Sequence, residues 1–341
     1  MTRRGKVGVT YEVDQALKKI NRIGQGKRDS KAQGDKGNIH SLKQNNHDYK
    51  NCNEYGKWLR SERGKGLYQA NKTDYKDYID YKASTGVSKG HLINIETSLR
   101  HLSKGMNKVS ESRGKASKEW LPRERVISSN EREKPQDRSY SPREVQSIRD
   151  NLPSGSKVHG NFTVQNAFGL RLEESAKARV SNFETRGNTT YFVASVGNKI
   201  TKGARPRETP CRPEYENQVR ALISGRSSDS YVGAKYNTAR DAYRSAAAKG
   251  GVSSYNGSHG YRHSYARAQL NDRLDQKGIG HSGRQVIDRM VANYEAGNRK
   301  DTGFTKDEKA LYNQVNAVID SIHADLGHGK GRIDLVAVYM K

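Results

Sequence analysis

Apolar residues recur at helical intervals through much of the first third of the chain. From residue 39 to about residue 109 the spacing predicts several short helices, one of which has apolar positions three, four and three residues apart. Those positions are Leu92, Ile95, Leu99 and Leu102. Because lysine and arginine fill the other faces of these helices, we expect a small basic helical domain over residues 39–109.

Two segments with little periodicity flank this domain. Residues 1–38 are rich in lysine and glycine and, apart from a short helix predicted around residues 11–23, are expected to form a basic N-terminal arm that is mobile or touches a partner. Residues 110–138 are highly charged and almost aperiodic, which is typical of a linker.

A second domain is expected over residues 139–341. Ser141, Pro142 and Glu144 match the N-cap, first and third positions of a helix that begins with a capping box. The segment 189–211 is rich in β-branched and aromatic residues interrupted by glycines, which predicts strand, turn, strand. Helical periodicity then continues to the end. The expected fold class is therefore mainly α with a small antiparallel β-sheet (α+β).

The charge of the chain indicates what kind of partner this surface meets. The formal net charge is +25 and the sequence pI is about 9.9, and so much self-repulsion destabilises a compact chain unless a polyanion screens it. Mean hydropathy is low, at -1.01, so much of the chain must be solvated or face a partner. We expect nucleic acid to be that partner. Composition alone leaves open a basic protein that is merely soluble or that binds an acidic membrane.

No stretch of the sequence is apolar for the roughly 18–20 residues that a membrane span needs. The polar start also lacks the apolar run of a secretory signal, so we expect a cytoplasmic protein with no membrane span. Cys52 and Cys211 are far apart and show no metal-ligand spacing, and we expect both to be free thiols.

Four short stretches carry residues suited to phosphoryl chemistry. They are FGLRLEE at Phe168–Glu174, TKGARPRE at Thr201–Glu208, HGYRH at His259–His263, and LGH at Leu326–His328 followed by Tyr339. Each stretch alone is common in helices that carry ordinary surface ion pairs. In this order they resemble the box sequence of tyrosine recombinases (phage integrases). The resemblance covers roughly residues 141–341 and, more loosely, the helical domain, which would correspond to the family's SAM-like core-binding domain.

The resemblance implies roles for the charged and nucleophilic residues of these boxes. Tyr339 would attack the phosphodiester and form a 3′-phosphotyrosyl bond. Arg171 and Arg262 would bind the nonbridging oxygens, because guanidinium groups match paired phosphate oxygens. Lys202 would protonate the departing 5′ oxygen as general acid, with Lys199 on the same hairpin as its rival.

Two histidines and a glutamate complete the implied site. His259 and His328 would hydrogen-bond the phosphate or help to deprotonate the tyrosine. Glu174 would orient Arg171 without reacting, and its neighbour Glu173 is expected to face solvent. His259 and His263 are one helical turn apart, but no cysteine or glutamate nearby completes a zinc site. We expect neither a metal nor a cofactor.

Two spacings depart from the common family pattern. Arg262 and His328 are further apart than usual, which predicts a helical insertion at about residues 272–318. The step from His328 to Tyr339 is also slightly longer, with residues 329–331 as the expected extra ones, and this affects how Tyr339 is positioned. Because the sequence stops soon after Tyr339, subunit contacts are expected elsewhere, with the insertion as a candidate.

The implied function is a site-specific DNA recombinase (integrase) that works without metal or ATP in the integration or excision of a mobile element. The implied partners are double-stranded DNA sites and three further copies of the chain, forming a tetramer that exchanges strands through a Holliday junction, and accessory DNA-bending proteins are compatible with this. One alternative is a catalytically silent DNA-binding regulator with the same fold. A type IB topoisomerase, which shares the chemistry but relaxes supercoils as a monomer, is another.

Overall fold

The computed structural model describes residues 8–128 and 136–340, which belong to two compact units. The N-terminal unit lies within residues 1–134 and the C-terminal unit within residues 135–341. Two parts of the predicted segments fall outside these ranges. They are residues 1–7 at the start of the arm and residues 129–135 of the linker. None of the described helices combines the length and the apolar character needed to cross a membrane.

The N-terminal unit is helical. Its helices are α1 (Val9–Lys19), α2 (Lys27–Ala32), α3 (Leu42–Arg63), α4 (Lys72–Ser84) and α5 (Lys89–Glu111). The polar side chains of Ser41, Asn71 and Ser88 cap the first turns of α3, α4 and α5 by accepting backbone N–H bonds. The apolar face predicted on α5 is buried in the core of the unit, as its spacing indicated.

The structure corrects the prediction of an arm over residues 1–38, because α1 is part of the core. Val13, Ala16 and Leu17 of α1 are buried, and α1 packs against α3 and α5. The following segment is also fixed, since Lys104 of α5 binds Asp35 at 2.7 Å. The high charge of this segment suggested an exposed arm, but its apolar positions recur every three to four residues and form one buried face.

A glycine in α5 makes the contact with α1 possible. A Cβ on Gly105 would lie 2.1 Å from the carbonyl oxygen of Ala16, which is backbone and cannot rotate away. We expect Gly105→Ala to destabilise the N-terminal unit by about 1–3 kcal/mol, because overpacking outweighs the better helix propensity of alanine. Both tryptophans, Trp58 and Trp120, lie in this unit, so denaturant unfolding followed by tryptophan fluorescence measures its stability.

The control is Ser103→Ala, at a half-buried position of the same helix. It should leave the unfolding midpoint nearly unchanged. A Gly105→Ala variant as stable as the wild type would mean that α1 does not pack this closely.

The first half of the predicted linker is also packed rather than free. The buried ring of Trp120 stacks on that of Tyr55 with centroids 5.7 Å apart. The buried carboxylate of Glu96 accepts hydrogen bonds from the backbone N–H of Val126 at 2.8 Å and from the hydroxyl of Tyr75 at 2.6 Å. Leu121, Val126 and Ile127 also pack against this core, although the segment shows little helical periodicity in the sequence.

The C-terminal unit is helical with a small sheet, as the fold class predicted. Its helices are α6 (Pro142–Asp150), α7 (Val158–Phe168), α8 (Leu172–Lys177), α9 (Glu216–Ile223), α10 (Tyr236–Lys249), α11 (His259–Gln276), α12 (Gly280–Glu295), α13 (Lys309–Asp325) and α14 (Ile333–Tyr339). The capping box at the start of α6 is present, with Ser141 and Glu144 each bonded to the other's backbone N–H.

Three antiparallel strands form the sheet in the order β1 (Phe183–Arg186), β2 (Thr189–Ala194) and β3 (Arg207–Pro210). The predicted strand, turn, strand corresponds to β2, the long loop after it, and β3. Phe192 pairs with Phe183 on one side and with Thr209 on the other. Alternate residues of β2 and β3 face the core, so Arg207 and Thr209 point inward.

The predicted insertion at residues 272–318 contains α12. Val286, Ile287 and Met290 of α12 share an apolar cluster with Val336 and Val338 of α14. Arg284 Nη1 also donates to the carbonyl oxygen of Met340 at 2.9 Å. This stretch therefore supports the short helix that ends at Tyr339.

Candidate active site

The turn between α7 and α8 places Arg171 and Glu174. Gly169 ends α7 with a φ of +60°, and a Cβ there would lie 2.7 Å from the ring of Tyr265, so the turn requires glycine. Arg171 is the N-cap of α8, and its Nη1 donates to Glu174 Oε1 at 2.7 Å. Its backbone N–H donates to Glu174 Oε2 at 2.8 Å. Arg171 keeps 27% of its side chain exposed.

A second arginine, which the sequence analysis did not select, binds the same carboxylate. Arg207 Nη2 donates to Glu174 Oε2 at 2.8 Å, and the two side chains are only 3% and 2% exposed. Burial raises the pKa of Glu174, but the guanidinium groups of Arg207, Arg262 and Arg171 outweigh it and lower the pKa to about 2. The sequence signal that could have identified Arg207 is the alternation of side chains along β3. This alternation turns Arg207 toward the core, as it does Thr209.

We expect Arg207→Met to destabilise the C-terminal unit by about 3–5 kcal/mol, because it removes one partner from a buried ion pair. The two tryptophans lie in the N-terminal unit, so circular dichroism detects unfolding of the C-terminal unit without a matching fluorescence change. The matched control is Arg186→Met, which breaks the Arg186–Glu208 pair between solvent-facing side chains 49% and 45% exposed. That change should leave the unfolding midpoint nearly unchanged, because exposed ion pairs contribute little to stability. Equal losses in the two variants would contradict the prediction.

Arg262 lies on α11 and is fully buried. Its Nη1 donates to the carbonyl oxygen of Gly169 at 2.7 Å, and its Nη2 donates to the carbonyl oxygen of Leu326 and lies 3.2 Å from His328 Nε2. Its Nε has no hydrogen-bond partner among the described residues. Burial, together with the charges of Arg171 and Arg207, lowers the pKa of Arg262 to about 9, which still leaves it protonated at neutral pH.

Three histidine rings surround the phenol of Tyr339 at the end of α14. His259 Nε2 lies 2.5 Å from the Tyr339 hydroxyl oxygen. The ring of His263, one turn further along α11, stacks on the Tyr339 ring with centroids 4.0 Å apart. The ring centroid of His328 lies 5.5 Å from that of Tyr339. The structure therefore brings His259, His263 and His328 together around Tyr339.

Burial keeps these imidazoles neutral. Desolvation, reinforced by the positive charge of Arg262, lowers the pKa of His259 to about 3. The same two causes lower the pKa of His328 to about 2. A neutral His259 can accept a hydrogen bond from the Tyr339 hydroxyl through Nε2, although its low pKa makes it a weak base in this arrangement.

The long step from His328 to Tyr339 forms a turn between α13 and α14. Gly327 has a φ of +63°, and His328 N–H donates to the carbonyl oxygen of His323 at 2.7 Å. Gly331 N–H donates to Asp320 Oδ1 at 3.0 Å, which fixes the middle of the turn. The additional residues are thus absorbed in this turn, and the Tyr339 hydroxyl still meets His259.

Lys202 is not part of this cluster in the structure. It lies in a short 3₁₀ turn (Lys202–Ala204) of the loop between β2 and β3, its side chain is exposed, and it forms no hydrogen bond or ion pair with the described residues. Lys199 in the same loop is exposed as well. The loop itself is ordered by Asn198, whose Oδ1 accepts the backbone N–H groups of Ile200 and Thr201.

The remaining sequence candidates are placed as follows. Glu173 is exposed and pairs with Lys177 at 2.7 Å. Cys52 and Cys211 are free and buried. Among residues 8–128 and 136–340 no group of three or more histidine, cysteine or acidic side chains is arranged to hold a metal ion.

Comparison of the fold with solved structures gives a consistent set of neighbours. One is the XerH site-specific recombinase bound to difH substrate in a pre-cleavage complex, with a TM-score of 0.52, 13% identity, and coverage of 80% of this chain and 89% of the other. Another is a lambda integrase tetramer bound to a Holliday junction, with a TM-score of 0.50, 12% identity and coverage of 82% and 75%. This chain has a tyrosine recombinase fold.

A third neighbour is the Tn1549 transposon integrase in complex with a circular intermediate DNA. It has a TM-score of 0.50, 12% identity, and coverage of 81% of this chain and 92% of the other. No protein-family model matches the sequence. No curated protein matches it either. At such low identity the comparison establishes the recombinase fold but not the reaction.

Proposed function

We propose that this chain is a site-specific DNA recombinase that cleaves and rejoins DNA through a 3′-phosphotyrosyl intermediate on Tyr339. The contact that carries this proposal is the 2.5 Å approach of His259 Nε2 to the Tyr339 hydroxyl oxygen. A tyrosine packed only for stability would also take a hydrogen-bond partner at its hydroxyl, so the arginines around this pair are what favour a reacting tyrosine.

The proposed cleavage step balances within the site. Tyr339 Oη attacks phosphorus and forms the P–O bond, while its proton passes to His259 Nε2. The bond from phosphorus to the 5′ oxygen breaks, and that oxygen leaves with a proton. Because a phosphodiester is exchanged for a phosphotyrosyl ester, the reverse attack by a 5′ hydroxyl rejoins DNA without ATP.

The arginines would stabilise the negative charge that develops at phosphorus. Arg171 is held by Glu174 and is partly exposed, so it can bind a nonbridging oxygen directly. Arg262 reaches no solvent in this structure, and a phosphate oxygen can meet its unpaired Nε only after the side chains that cover it move. We assign His328, bonded to Arg262, to the same phosphate.

Lys202 is the proposed general acid for the departing 5′ oxygen. Its side chain is exposed on the loop between β2 and β3 and has no partner among the described residues, so it is free to reach a bound phosphate. The long flexible side chain of lysine suits such a late contact.

The proposed partner is double-stranded DNA carrying a specific recombination site. The formal net charge of +25 favours a polyanion, and the affinity should fall steeply with salt. In the three compared structures the recombinase or integrase is bound to DNA, and one of them is a tetramer on a Holliday junction. We propose the same partner and assembly here, in the integration or excision of a mobile element, with residues 39–109 as a core-binding domain.

Two features favour the second candidate, a DNA-binding regulator that does not cut. Arg262 donates to two backbone carbonyls rather than facing solvent, and Lys202 forms no hydrogen bond or ion pair with the described residues. Both features are compatible with a site that keeps its fold but performs no cleavage.

The test begins with the DNA that the protein itself selects from a random duplex library. Duplexes of the selected sequence, nicked so that the cleaved end diffuses away, are incubated with the wild-type protein and resolved under denaturing conditions. A covalent protein–DNA band whose modified peptide contains Tyr339 supports the recombinase. Tight binding without any covalent product supports the regulator, and relaxation of plasmid that lacks the selected sequence indicates a topoisomerase.

A further inference from the structure

His263 contacts the proposed nucleophile through the face of its ring. The His263 and Tyr339 rings are 4.0 Å apart at their centroids and inclined by only 23°, and His263 is buried. His259, one helical turn earlier, meets the hydroxyl at the edge of the same phenol. Tyr339 is therefore held from two directions by one helix.

The other side of the His263 ring is fixed by the segment that precedes α6. The backbone N–H of Arg138 donates to His263 Nδ1 at 3.4 Å. Asp137 Oδ1 lies 3.5 Å from the same nitrogen, and Arg267 holds the carboxylate of Asp137 at 3.0 Å. These contacts lie at the Nδ1 edge of the imidazole, while the phenol of Tyr339 is stacked on its flat face.

The helix that carries Tyr339 has little rigidity of its own. α14 spans seven residues and has no side-chain cap at its N-terminus. A helix this short depends on tertiary contacts, and the phenol can also rotate about its own side-chain bonds. In-line attack on phosphorus tolerates little misplacement, since a shift of about 1 Å can cost roughly 10²-fold in rate.

We infer that His263 is a positioning residue for the proposed cleavage reaction, holding the plane of the Tyr339 ring while His259 accepts the proton. This inference rests on the proposed function and deepens it. His263 does not touch the phosphate or exchange a proton in this scheme, so the flat shape of its ring matters more than its basicity.

The test compares His263→Leu with His263→Phe on the full-length protein. Both variants place an apolar side chain in the buried space that His263 occupies, but only phenylalanine keeps a flat ring against Tyr339. We expect the leucine variant to cleave the nicked duplex about 10–100-fold more slowly in single turnover at saturating protein, with unchanged DNA affinity. The phenylalanine variant should remain within about threefold of the wild type. His281→Ala, at an exposed histidine on α12, is the control and should be unaffected.

Each outcome has one meaning. A leucine variant that cleaves at the wild-type rate, or a phenylalanine variant slowed as much as the leucine variant, overturns the positioning role. Should the leucine variant fail to fold, as judged by circular dichroism, a folded phenylalanine variant slowed tenfold or more would still overturn it. Failure of the proposed function is distinct, because the wild-type protein itself would then give no covalent product.

Discussion

Replacing Tyr339 with phenylalanine is expected to remove the covalent protein–DNA product completely while DNA binding is retained. Removal of a catalytic nucleophile costs roughly 10⁶-fold in rate in well-studied enzymes, which places the residual reaction below detection on a gel. The phenyl ring can still stack on His263, so the packing around α14 should survive. The measurement is the yield of covalent complex with the nicked duplex, together with affinity measured by fluorescence anisotropy.

The same substitution has a cost in stability that can be measured separately. Without the hydroxyl, Nε2 of the half-buried His259 loses its partner, and a polar atom left unsatisfied in this way costs up to about 1–3 kcal/mol. Assays should therefore be run well below the unfolding temperature of the variant. The control is Tyr294→Phe, which removes the hydroxyl of an exposed tyrosine on α12. Covalent product from a folded Tyr339→Phe variant would exclude Tyr339 as the nucleophile.

Arg262→Lys is expected to slow cleavage by about 10²–10³-fold at saturating DNA, the range seen when one donor to a developing negative charge is removed. Lysine keeps the positive charge but cannot reach the carbonyls of Gly169 and Leu326 and the His328 ring at the same time. The single-turnover rate constant should therefore fall, while the DNA affinity should stay unchanged.

Arg244→Lys is the matched control, because Arg244 is an exposed arginine on α10. It should change neither quantity beyond about twofold, since exposed charges contribute little individually. A wild-type rate in a folded Arg262→Lys variant would show that the planar guanidinium is not needed for the reaction, and would count against the proposed role.

Much of the fold could be predicted from local pattern. The three-and-four spacing of α5, the capping box of α6 and the β-branched and aromatic residues of β2 are encoded within a few neighbouring residues, and all three elements are present. The arm and the linker were predicted less well, because both assignments relied on charge. Charged side chains leave a helix free to bury its other face, as α1 does, and a few apolar residues such as Trp120 attach part of the linker.

The residues of the candidate site were also predicted in part. The residues of the four boxes were found from their order, and the structure brings Arg171, Glu174, Arg262 and Tyr339 into one region with the histidines. The roles of Arg207 and His263 depend on contacts between residues distant in sequence, which no local spacing encodes. The role of Lys202 is a different case, because the contact proposed for it is with bound DNA rather than with another residue of the chain.

The pairing of one carboxylate with several guanidinium groups has a consequence for how the site balances charge. Arg171, Arg207 and Arg262 contribute three positive charges and Glu174 one negative charge, which leaves a net charge of +2 in a poorly solvated region. Under the proposed reaction the five-coordinate phosphorus species carries two negative charges. Attack therefore adds negative charge where the site holds an excess of positive charge, so the three guanidinium groups stabilise the five-coordinate species more than the bound phosphodiester.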